Sequence, residues 1–290
     1  MAKRNSSSGV RDSGTLIIIG GHEDKEGDCA ILKEVARRVG NGKLVVTPVA
    51  SHEPEGYFET YEEVFTGLGV ASTVELNVRD RTDAMHEESL RILEGATGVF
   101  FTGGDQLRIT SQIGDTPIDR RIREIYAQGG VICGTSAGAS AMCETMLVRG
   151  QGGESTRLGS LRMAPGLGLM PGVIIDQHFA ERGRMGRLLG AVAQNPRVLG
   201  IGIDEDTAIV VEGERFAVLG AGAVYVVDGS GVTRSNIAEG HEDDVLSIYD
   251  VRLHVLSTGD AFDLRERRPM CNGSMVQCED PRESEQSGAA

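Results

Sequence analysis

Residues 131–140 read VICGTSAGAS, and this stretch decides the fold of the chain. Three apolar residues lead into the pentapeptide GTSAG, and a run of small residues with helix character follows. The order predicts a buried strand, a sharp turn with Ser136 at its apex, and a helix. The pattern G-x-S-x-G is typical of a nucleophile elbow, in which a strained turn projects the serine oxygen from the sheet edge. The alternative is an inert serine in a glycine-rich turn, but the flanking strand and helix favour the elbow.

Strand and helix patterns alternate on the amino-terminal side of this turn. Continuous apolar runs, which are typical of strands covered on both faces, lie at residues 15–20, 43–49, 73–78 and 98–102. Helical spacing is found at residues 29–39, 57–68, 86–93 and 118–127. This alternation predicts an α/β fold with a mostly parallel, doubly wound sheet and helices on both faces. Short alternating strands within 198–229 are interpreted as antiparallel hairpins that extend the sheet in the carboxyl-terminal half.

The chain of 290 residues shows neither an internal repeat nor an interdomain linker. We therefore expect a flexible arm at residues 1–14 and a single α/β catalytic domain at residues 15–264. Residues 265–290 are polar and rich in Glu, Ser and Gly, and this composition predicts a disordered tail.

Composition narrows the classes of function. A formal net charge of -14 argues against a nucleic-acid partner, because binding to phosphates needs clustered basic residues. Five cysteines without close pairing are interpreted as free thiols in a reducing compartment. No stretch is long and apolar enough for a membrane span, and residues 1–13 carry no apolar segment of a signal peptide. A cytoplasmic location is expected.

A serine nucleophile needs a base and an acid that orients the base. His178 is the best candidate for the base, because it follows the apolar run at 173–175 and comes after the serine in the chain. His22 and His52 also follow predicted strands and are rivals. Glu154 lies between the serine and the histidine in sequence and is the expected acid, with Asp176 as the alternative.

Three arginines crowd the segment that follows His178. They are Arg182, Arg184 and Arg187, and arginine at the start of a helix opposes the helix dipole. Helix formation therefore does not explain them, whereas bidentate recognition of carboxylates does. A solvated basic patch is the alternative. The position beside the candidate base in an otherwise acidic chain favours a binding role.

The turn also indicates where an oxyanion would rest. The N–H of Ala137 follows the serine directly at the start of a helix. A second donor is expected from the glycine pair after the 98–102 strand, at Gly104, because glycine lets the backbone approach closely. Gln106 follows this pair and is within reach of a substrate.

Three segments together resemble the cyanophycinases, which are related to the aspartyl dipeptidases. They are GGDQLRI at 103–109, GTSAGAS at 134–140 and DQHFAERGRMGRL at 176–188. The resemblance implies a class I glutaminase-like fold and a serine-type exopeptidase that acts through an acyl-enzyme. The implied substrate is cyanophycin, a poly-aspartate with arginine joined to each β-carboxylate, and the products are β-aspartyl-arginine dipeptides. A cytoplasmic homodimer without cofactor or metal is also implied.

Carried over residue by residue, the resemblance makes Ser136 the nucleophile, His178 the base and Glu154 the acid. It places in the substrate pocket Gln106, Asp176, Gln177, Arg182, Arg184 and Arg187. Two alternatives stay open at this stage. One is a dipeptidase for small aspartyl or isoaspartyl peptides, and the other is a ligand-binding protein without catalysis on the same scaffold.

Overall fold

The computed structural model describes residues 14–149, 157–271 and 274–275. In these residues the α-helices are Ala30–Val39 (α1), Tyr57–Gly67 (α2), Glu87–Ile92 (α3), Gln106–Ile113 (α4), Pro117–Ala127 (α5), Ala137–Ala141 (α6) and Met185–Gln194 (α7). The strands are Thr15–Ile19 (β1), Lys43–Thr47 (β2), Ser72–Glu75 (β3), Ala96–Phe101 (β4), Val131–Thr135 (β5), Thr145–Arg149 (β6), Arg162–Pro165 (β7), Val173–Gln177 (β8), Leu199–Ile203 (β9), Thr207–Glu212 (β10), Arg215–Gly220 (β11), Val224–Asp228 (β12), Arg234–Ser235 (β13), Ile248–Tyr249 (β14), Arg252–Leu256 (β15), Ala261–Asp263 (β16), Arg268–Cys271 (β17) and Ser274–Met275 (β18).

The main sheet has ten strands in the order β18-β17-β16-β11-β10-β1-β5-β4-β2-β3. The five strands from β1 to β3 in this order are parallel, and the strands from β10 outward are antiparallel. This arrangement confirms the predicted fold class, including the antiparallel extension. The elbow strand β5 lies between β1 and β4, so the loops after these three strands meet at one edge of the sheet.

Part of the predicted hairpin region forms a second sheet instead. Four strands pair in the order β15-β12-β9-β8, and β8 and β9 are parallel. Of the strands within 198–229, only β10 and β11 belong to the main sheet. The residues that follow β8 and β9 consequently lie at the same edge of the second sheet.

Alternating residues of the central strands face two helical layers. Leu16 and Ile18 of β1 pack with α4, α5 and α6, while Ile17 and Ile19 pack with α1 and α2. Helix α7 covers one face of the second sheet, whose other face joins the core beneath α6. This layering confirms the prediction of helices on both faces of the sheet.

Two local features differ from the sequence prediction. Helix α4 is not among the helices that the sequence predicts. Asp105 caps it by accepting from the N–H of Leu107 at 2.9 Å, and Ile109 and Ile113 bury one face. The chain was also expected to leave the fold after residue 264. Strands β17 and β18 instead continue the sheet, with Met270 buried, and residues 276–290 lie outside the described part. None of the described helices has the length and apolar character that a membrane span requires.

Candidate active site

Ser136 occupies the sharp turn between β5 and α6. Its backbone has φ 52° and ψ -108°, a combination that costs energy for a residue with a side chain. The N–H of Ser136 donates to the carbonyl of Ile19 at 3.0 Å, which ties the turn to the end of β1. The structure therefore builds the strained strand–turn–helix unit that the sequence predicts.

A chain of hydrogen bonds runs from this serine. Ser136 Oγ lies 2.9 Å from Nε2 of His178, and Nδ1 of the same ring lies 2.5 Å from Oε1 of Glu205. Because an ionised carboxylate only accepts, His178 donates through Nδ1–H and leaves Nε2 free to accept from the serine. Oε2 of Glu205 is 2.9 Å from Nδ1 of His22. One carboxylate thus bridges two histidines, and only His178 contacts the serine.

The backbone around β1 and β8 fixes the position of the His178 ring. The N–H of His178 donates to the carbonyl of Gly20 at 2.8 Å. The ring then packs against Gly21, whose φ is +107°, and a Cβ there would lie 2.3 Å from the ring. Glycine at position 21 is therefore required for this close approach.

Burial and hydrogen bonding set the charge states of this chain. Burial lowers the pKa of His178 below its ordinary value, although the hydrogen bond to Glu205 acts in the opposite direction. Burial alone would raise the pKa of Glu205, but the hydrogen bonds from His178 and His22 outweigh it, and the net shift is downward. A neutral imidazole beside an ionised carboxylate is the state that a general base needs.

The orienting acid in the described structure differs from the two residues that the sequence suggested. Glu154 lies outside the described residues. Asp176 does not contact His178 and pairs with arginines instead, whereas Glu205 takes the Nδ1 position. Of the rival bases, His22 contacts Glu205, and His52 is exposed beside Arg108.

Glu205 was missed because its strand was misinterpreted. The pattern within 198–229 predicts antiparallel hairpins, in which Asp204-Glu205-Asp206 is only a break between short strands. In the structure β9 runs parallel to β8, so the residue two positions after β9 lies beside the residue directly after β8. A search for acids after every apolar run, including the Gly-rich run at 199–203, would have found it.

The segments that carry the two expected oxyanion donors both lie next to the serine. Ala137 is the first residue of α6, where backbone N–H groups lack a partner within the helix. Gly103 lies against the serine, since a Cβ at Gly103 would be 3.6 Å from the Ser136 Cβ. Gly104 has φ +143° and packs on the carbonyl of Ala50, which leaves no room for a side chain. Both loops reach the same cavity.

The three arginines lie beside this site. Arg182 precedes α7 and is exposed, Arg184 is the residue before its first turn, and Arg187 lies within the helix and is buried. Asp176 is fully buried and accepts from Arg184 Nη1 at 3.0 Å and from Arg187 Nε at 2.8 Å. Burial lowers the pKa of Arg184 to about 10, although the negative charge of Asp176 acts to raise it. The positive charge of Arg187 lowers it further.

Asp176 therefore holds arginines and does not line the open cavity. The cavity has a volume of about 480 Å³. It is lined by His22, Glu23, Lys25, Tyr57, Tyr61, Gly103, Gly104, Gln106, Thr135, Ser136, Val148, Gln177, His178, Arg182, Arg184 and Arg187. The structure brings together in one cavity the serine, the histidine, both glutamines and all three arginines.

The two glutamines differ in their hydrogen bonding. Gln106 donates from Nε2 to the carbonyl of Leu147 at 2.7 Å, which fixes its side chain. Gln177 is buried, and its Oε1 has no partner among the described residues. Because a buried acceptor without a partner is costly, Gln177 Oε1 is a candidate contact for a donor on a bound substrate.

A hydrogen-bonded cluster around Glu23 also lines the cavity, and it is not among the groups that the sequence predicts. Glu23 is buried and accepts from Lys25 Nζ at 2.8 Å, from the hydroxyl of Thr135 at 2.5 Å and from that of Tyr61. Glu23 and Lys25 follow β1, so the rule that sites follow parallel strands points to them. No sequence pattern indicates that Tyr61 of α2 reaches them.

A metal site was not expected, and the described residues include one group with suitable atoms. His22, His178 and Glu205 have ligand atoms within 4.8 Å of one another. The same atoms already serve the hydrogen bonds that connect these three side chains.

The fold and this site together define a serine-type peptidase built on a parallel α/β sheet. The chain belongs to peptidase family S51, whose profile matches residues 16–219. It is 40% identical over 256 residues to a cyanophycinase of Synechococcus elongatus, and the aligned region covers 87% of this chain and 80% of the relative. It is 38% identical over 260 residues to a cyanophycinase of Geminocystis herdmanii, with 88% and 96% covered.

Solved structures show the same fold. A crystal structure of a peptidase from an acI-B1 Actinobacterium superposes with a TM-score of 0.67 at 21% sequence identity. The superposition covers 87% of this chain and 98% of that one.

Proposed function

We propose that this chain is a cyanophycinase, a serine-type exopeptidase that hydrolyses cyanophycin to β-aspartyl-arginine dipeptides. The observation that carries the proposal is one cavity with two features. A serine hydrogen-bonded to a buried histidine lies at its edge, and arginines suited to carboxylates form its wall. Similarity to curated cyanophycinases over most of the chain supports the choice of substrate.

In the proposed reaction, Ser136 Oγ attacks a backbone carbonyl carbon of the polymer, and its proton moves to Nε2 of His178. Glu205 accepts from Nδ1–H and stabilises the imidazolium that forms. The oxyanion accepts from backbone N–H groups at Ala137 and Gly104. The C–N bond then breaks, His178 gives its proton to the leaving amine, and an acyl-enzyme remains. A water molecule, deprotonated by His178, hydrolyses the ester and restores the serine.

The cavity wall suits the two charged groups of each substrate unit. The arginines fit the carboxylates, with Arg182 in direct reach because it has no carboxylate partner among the described residues. Asp176 acts by holding Arg184 and Arg187 in place. Oε1 of Gln177 suits a guanidinium donor of the substrate. Gln106 lines the same cavity.

Incubation of the pure protein with cyanophycin, followed by mass spectrometry of the products, tests the proposal. The expected product is β-aspartyl-arginine, with none formed by Ser136→Ala. Ser111→Ala is the matched control, because Ser111 is an exposed serine on α4. Cleavage of small aspartyl dipeptides without cleavage of the polymer would favour a dipeptidase instead. No cleavage of either substrate, together with no reaction with a serine-directed probe, would favour a binding protein.

The family resemblance also leads us to propose a homodimer in the cytoplasm that works without cofactor or metal. Light scattering coupled to size-exclusion chromatography tests the dimer, and fractionation of the native cell tests the location. Treatment with EDTA is expected to leave the hydrolysis of cyanophycin unchanged.

A further inference from the structure

The loop after β1 forms a second cationic wall of the cavity, separate from the arginines. The Lys25 ammonium lies 2.8 Å from Oε1 of Glu23 and 5.1 Å from the centre of the Tyr61 ring on α2. Arg184 and Arg187 pair instead with Asp176 at the end of β8. Lys25 follows β1 and is held by Glu23, whereas Arg184 and Arg187 follow β8 and are held by Asp176. All three side chains line the cavity that contains the serine.

Glu23 holds Lys25 and has little capacity left for a ligand. Its side chain is 1% exposed, and its two oxygens accept from Lys25, Tyr61 and Thr135. Burial alone would raise the pKa of Glu23, but the Lys25 charge and these hydrogen bonds outweigh it, and the net shift is downward. The carboxylate therefore stays ionised and fixes Lys25 at the cavity wall.

Lys25 itself keeps a donor for a ligand. An ammonium has three N–H donors, and Lys25 shares two with Glu23, through Oε1 and the backbone oxygen at 3.4 Å. Its side chain is 27% exposed and borders the open cavity. Among the described residues that line the cavity, Glu23 is the single carboxylate, against Lys25 and three arginines. The cavity of this acidic chain is therefore locally cationic.

The proposed substrate has two carboxylates in its terminal unit. One is the backbone α-carboxylate of the last aspartate, and the other is the α-carboxylate of the arginine joined to it. An enzyme that releases single β-aspartyl-arginine units must recognise the chain end, and two separate cationic walls match two carboxylates. We propose that Lys25 is a specificity-determining residue that binds one carboxylate of the terminal β-aspartyl-arginine unit while the arginines bind the other. This inference rests on the proposed function.

Three synthetic substrates test the assignment. They are the dimer of β-aspartyl-arginine with both terminal carboxylates free, the same dimer amidated at the backbone α-carboxyl, and the dimer amidated at the terminal arginine carboxyl. The parent protein is expected to lose about 10- to 100-fold in kcat/KM on the amide that removes the Lys25 contact. Lys25→Met should lose a similar factor on the free dimer and nothing further on that amide. The amide that shows this pattern identifies the carboxylate.

Two further variants separate binding from structure. Lys25→Arg keeps the charge and should restore preference for the free acid. Lys33→Met is the matched control, because Lys33 is an exposed lysine paired with Asp28 outside the cavity, and it should behave as the parent. Labelling by a small fluorophosphonate should stay fast in Lys25→Met, whereas its melting temperature should fall because the buried Glu23 carboxylate loses its ion pair, and Lys25→Arg should restore it.

Several outcomes would overturn the assignment. One is an equal loss by Lys25→Met on all three dimers, or slow labelling by the fluorophosphonate, since either shows that the ion pair with Glu23 only supports the fold. Another is a parent protein that cleaves both amides as fast as the free dimer, and this measurement needs no variant. A parent that cleaves neither the dimer nor cyanophycin would instead refute the proposed function.

Discussion

Two carboxylates near Ser136 lie at the ends of neighbouring parallel strands and have opposite surroundings. Asp176 at the end of β8 is fully buried, and its partners are Arg184 and Arg187. Glu205, two residues after β9, has a side chain that is 26% exposed, and its partners are His178 and His22. One carboxylate has permanently charged partners, and the other has partners that gain and lose a proton near neutral pH.

This contrast separates a supporting role from a catalytic one. A fully buried carboxylate is stable only if it stays paired, so Asp176 fixes two arginines and contributes to the fold. A carboxylate that faces water can lose its partner at low cost, so Glu205 contributes little to the fold. Its effect is to orient His178 and to stabilise the imidazolium. Replacement of Asp176 should therefore lower the stability of the fold, whereas replacement of Glu205 should lower the catalytic rate.

The largest loss of activity is expected at Ser136 and His178, the pair that Glu205 supports. Ser136→Ala should lower kcat by a factor on the order of 10⁴ or more, and His178→Ala should be about as inactive. The double variant should be hardly worse, because the two residues act as a unit in one proton transfer. Turnover of cyanophycin by purified protein measures this. Losses that multiply in the double variant would indicate that a different histidine serves as the base.

Replacement of the two carboxylates tests the contrast directly. Glu205→Gln should lower kcat/KM by roughly 10³- to 10⁴-fold, because the amide fails to orient the neutral imidazole. Its melting temperature should stay close to that of the parent. Asp176→Asn should lower the free energy of unfolding by about 3–5 kcal/mol, because the buried Arg187 and the partly buried Arg184 lose their charge partner. Denaturant titration and steady-state kinetics measure both quantities.

Glu154→Gln is the matched control for the catalytic half of this test. Glu154 is the acid that the sequence suggested, and the same substitution there should leave kcat/KM near the parent value. If Glu154→Gln were inactive and Glu205→Gln active, the roles of these two glutamates would be reversed. If Asp176→Asn were fully stable, the supporting role of the buried carboxylate would be wrong.

The arginines provide a further test of which residues support the fold and which act on the substrate, because only two of the three are paired with Asp176. Arg182→Lys keeps the charge but loses the planar fork, and a lost charge-assisted contact costs roughly 1.5–3 kcal/mol in transition-state binding. Its stability should not change, because Arg182 is exposed. Arg187→Lys should lower both kcat/KM and the melting temperature, because its guanidinium makes two bonds to Asp176.

Reactivity toward a small serine-directed probe should be largely kept in both arginine variants. Arg91→Lys, on the exposed α3, is the control for the substitution itself. Parent-like cleavage of cyanophycin by both cavity variants would show that the cluster is only a basic patch.

The sequence was enough to predict the parts of this site that depend on local pattern. The elbow at Ser136 follows from G-x-S-x-G with a strand before it and a helix after it. The binding role of the three arginines in the cavity follows from their position at a helix start, where the helix dipole does not explain them. Both inferences use residues close together in the chain, so no knowledge of long-range pairing was needed.

The parts that sequence failed to predict depend on which strands pair. Glu205 reaches His178 because β9 is parallel to β8 in a second sheet, and an isolated apolar run does not reveal the direction of its neighbours. Tyr61 reaches Glu23 only after α2 has packed on the main sheet. The pairing of Asp176 with arginines, rather than with substrate, also depends on its burial. A carboxylate at the end of a strand has the same sequence pattern in either case.

The smallest expected effect is on the pH profile, and it tests how Glu205 acts on the base. His178 must be neutral at Nε2 to accept the serine proton, so kcat/KM rises with pH through its pKa. Burial lowers this pKa, the hydrogen bond to Glu205 raises it, and the Arg182 charge lowers it. The acidic limb of the parent should therefore have its midpoint below the ordinary histidine value of about 6.5.

The two neighbours should move this limb in opposite directions. Glu205→Gln removes a contribution that raises the pKa of His178, so the limb of its residual activity should move to lower pH. Arg182→Gln removes a contribution that lowers the pKa, so its limb should move to higher pH. Arg91→Gln, remote from the cavity, should leave the midpoint unchanged. The measurement is kcat/KM for the free β-aspartyl-arginine dimer across the acidic range. A common midpoint in all four proteins would show that neither charge acts on the titration of His178, and Glu205 would then only hold the ring in place.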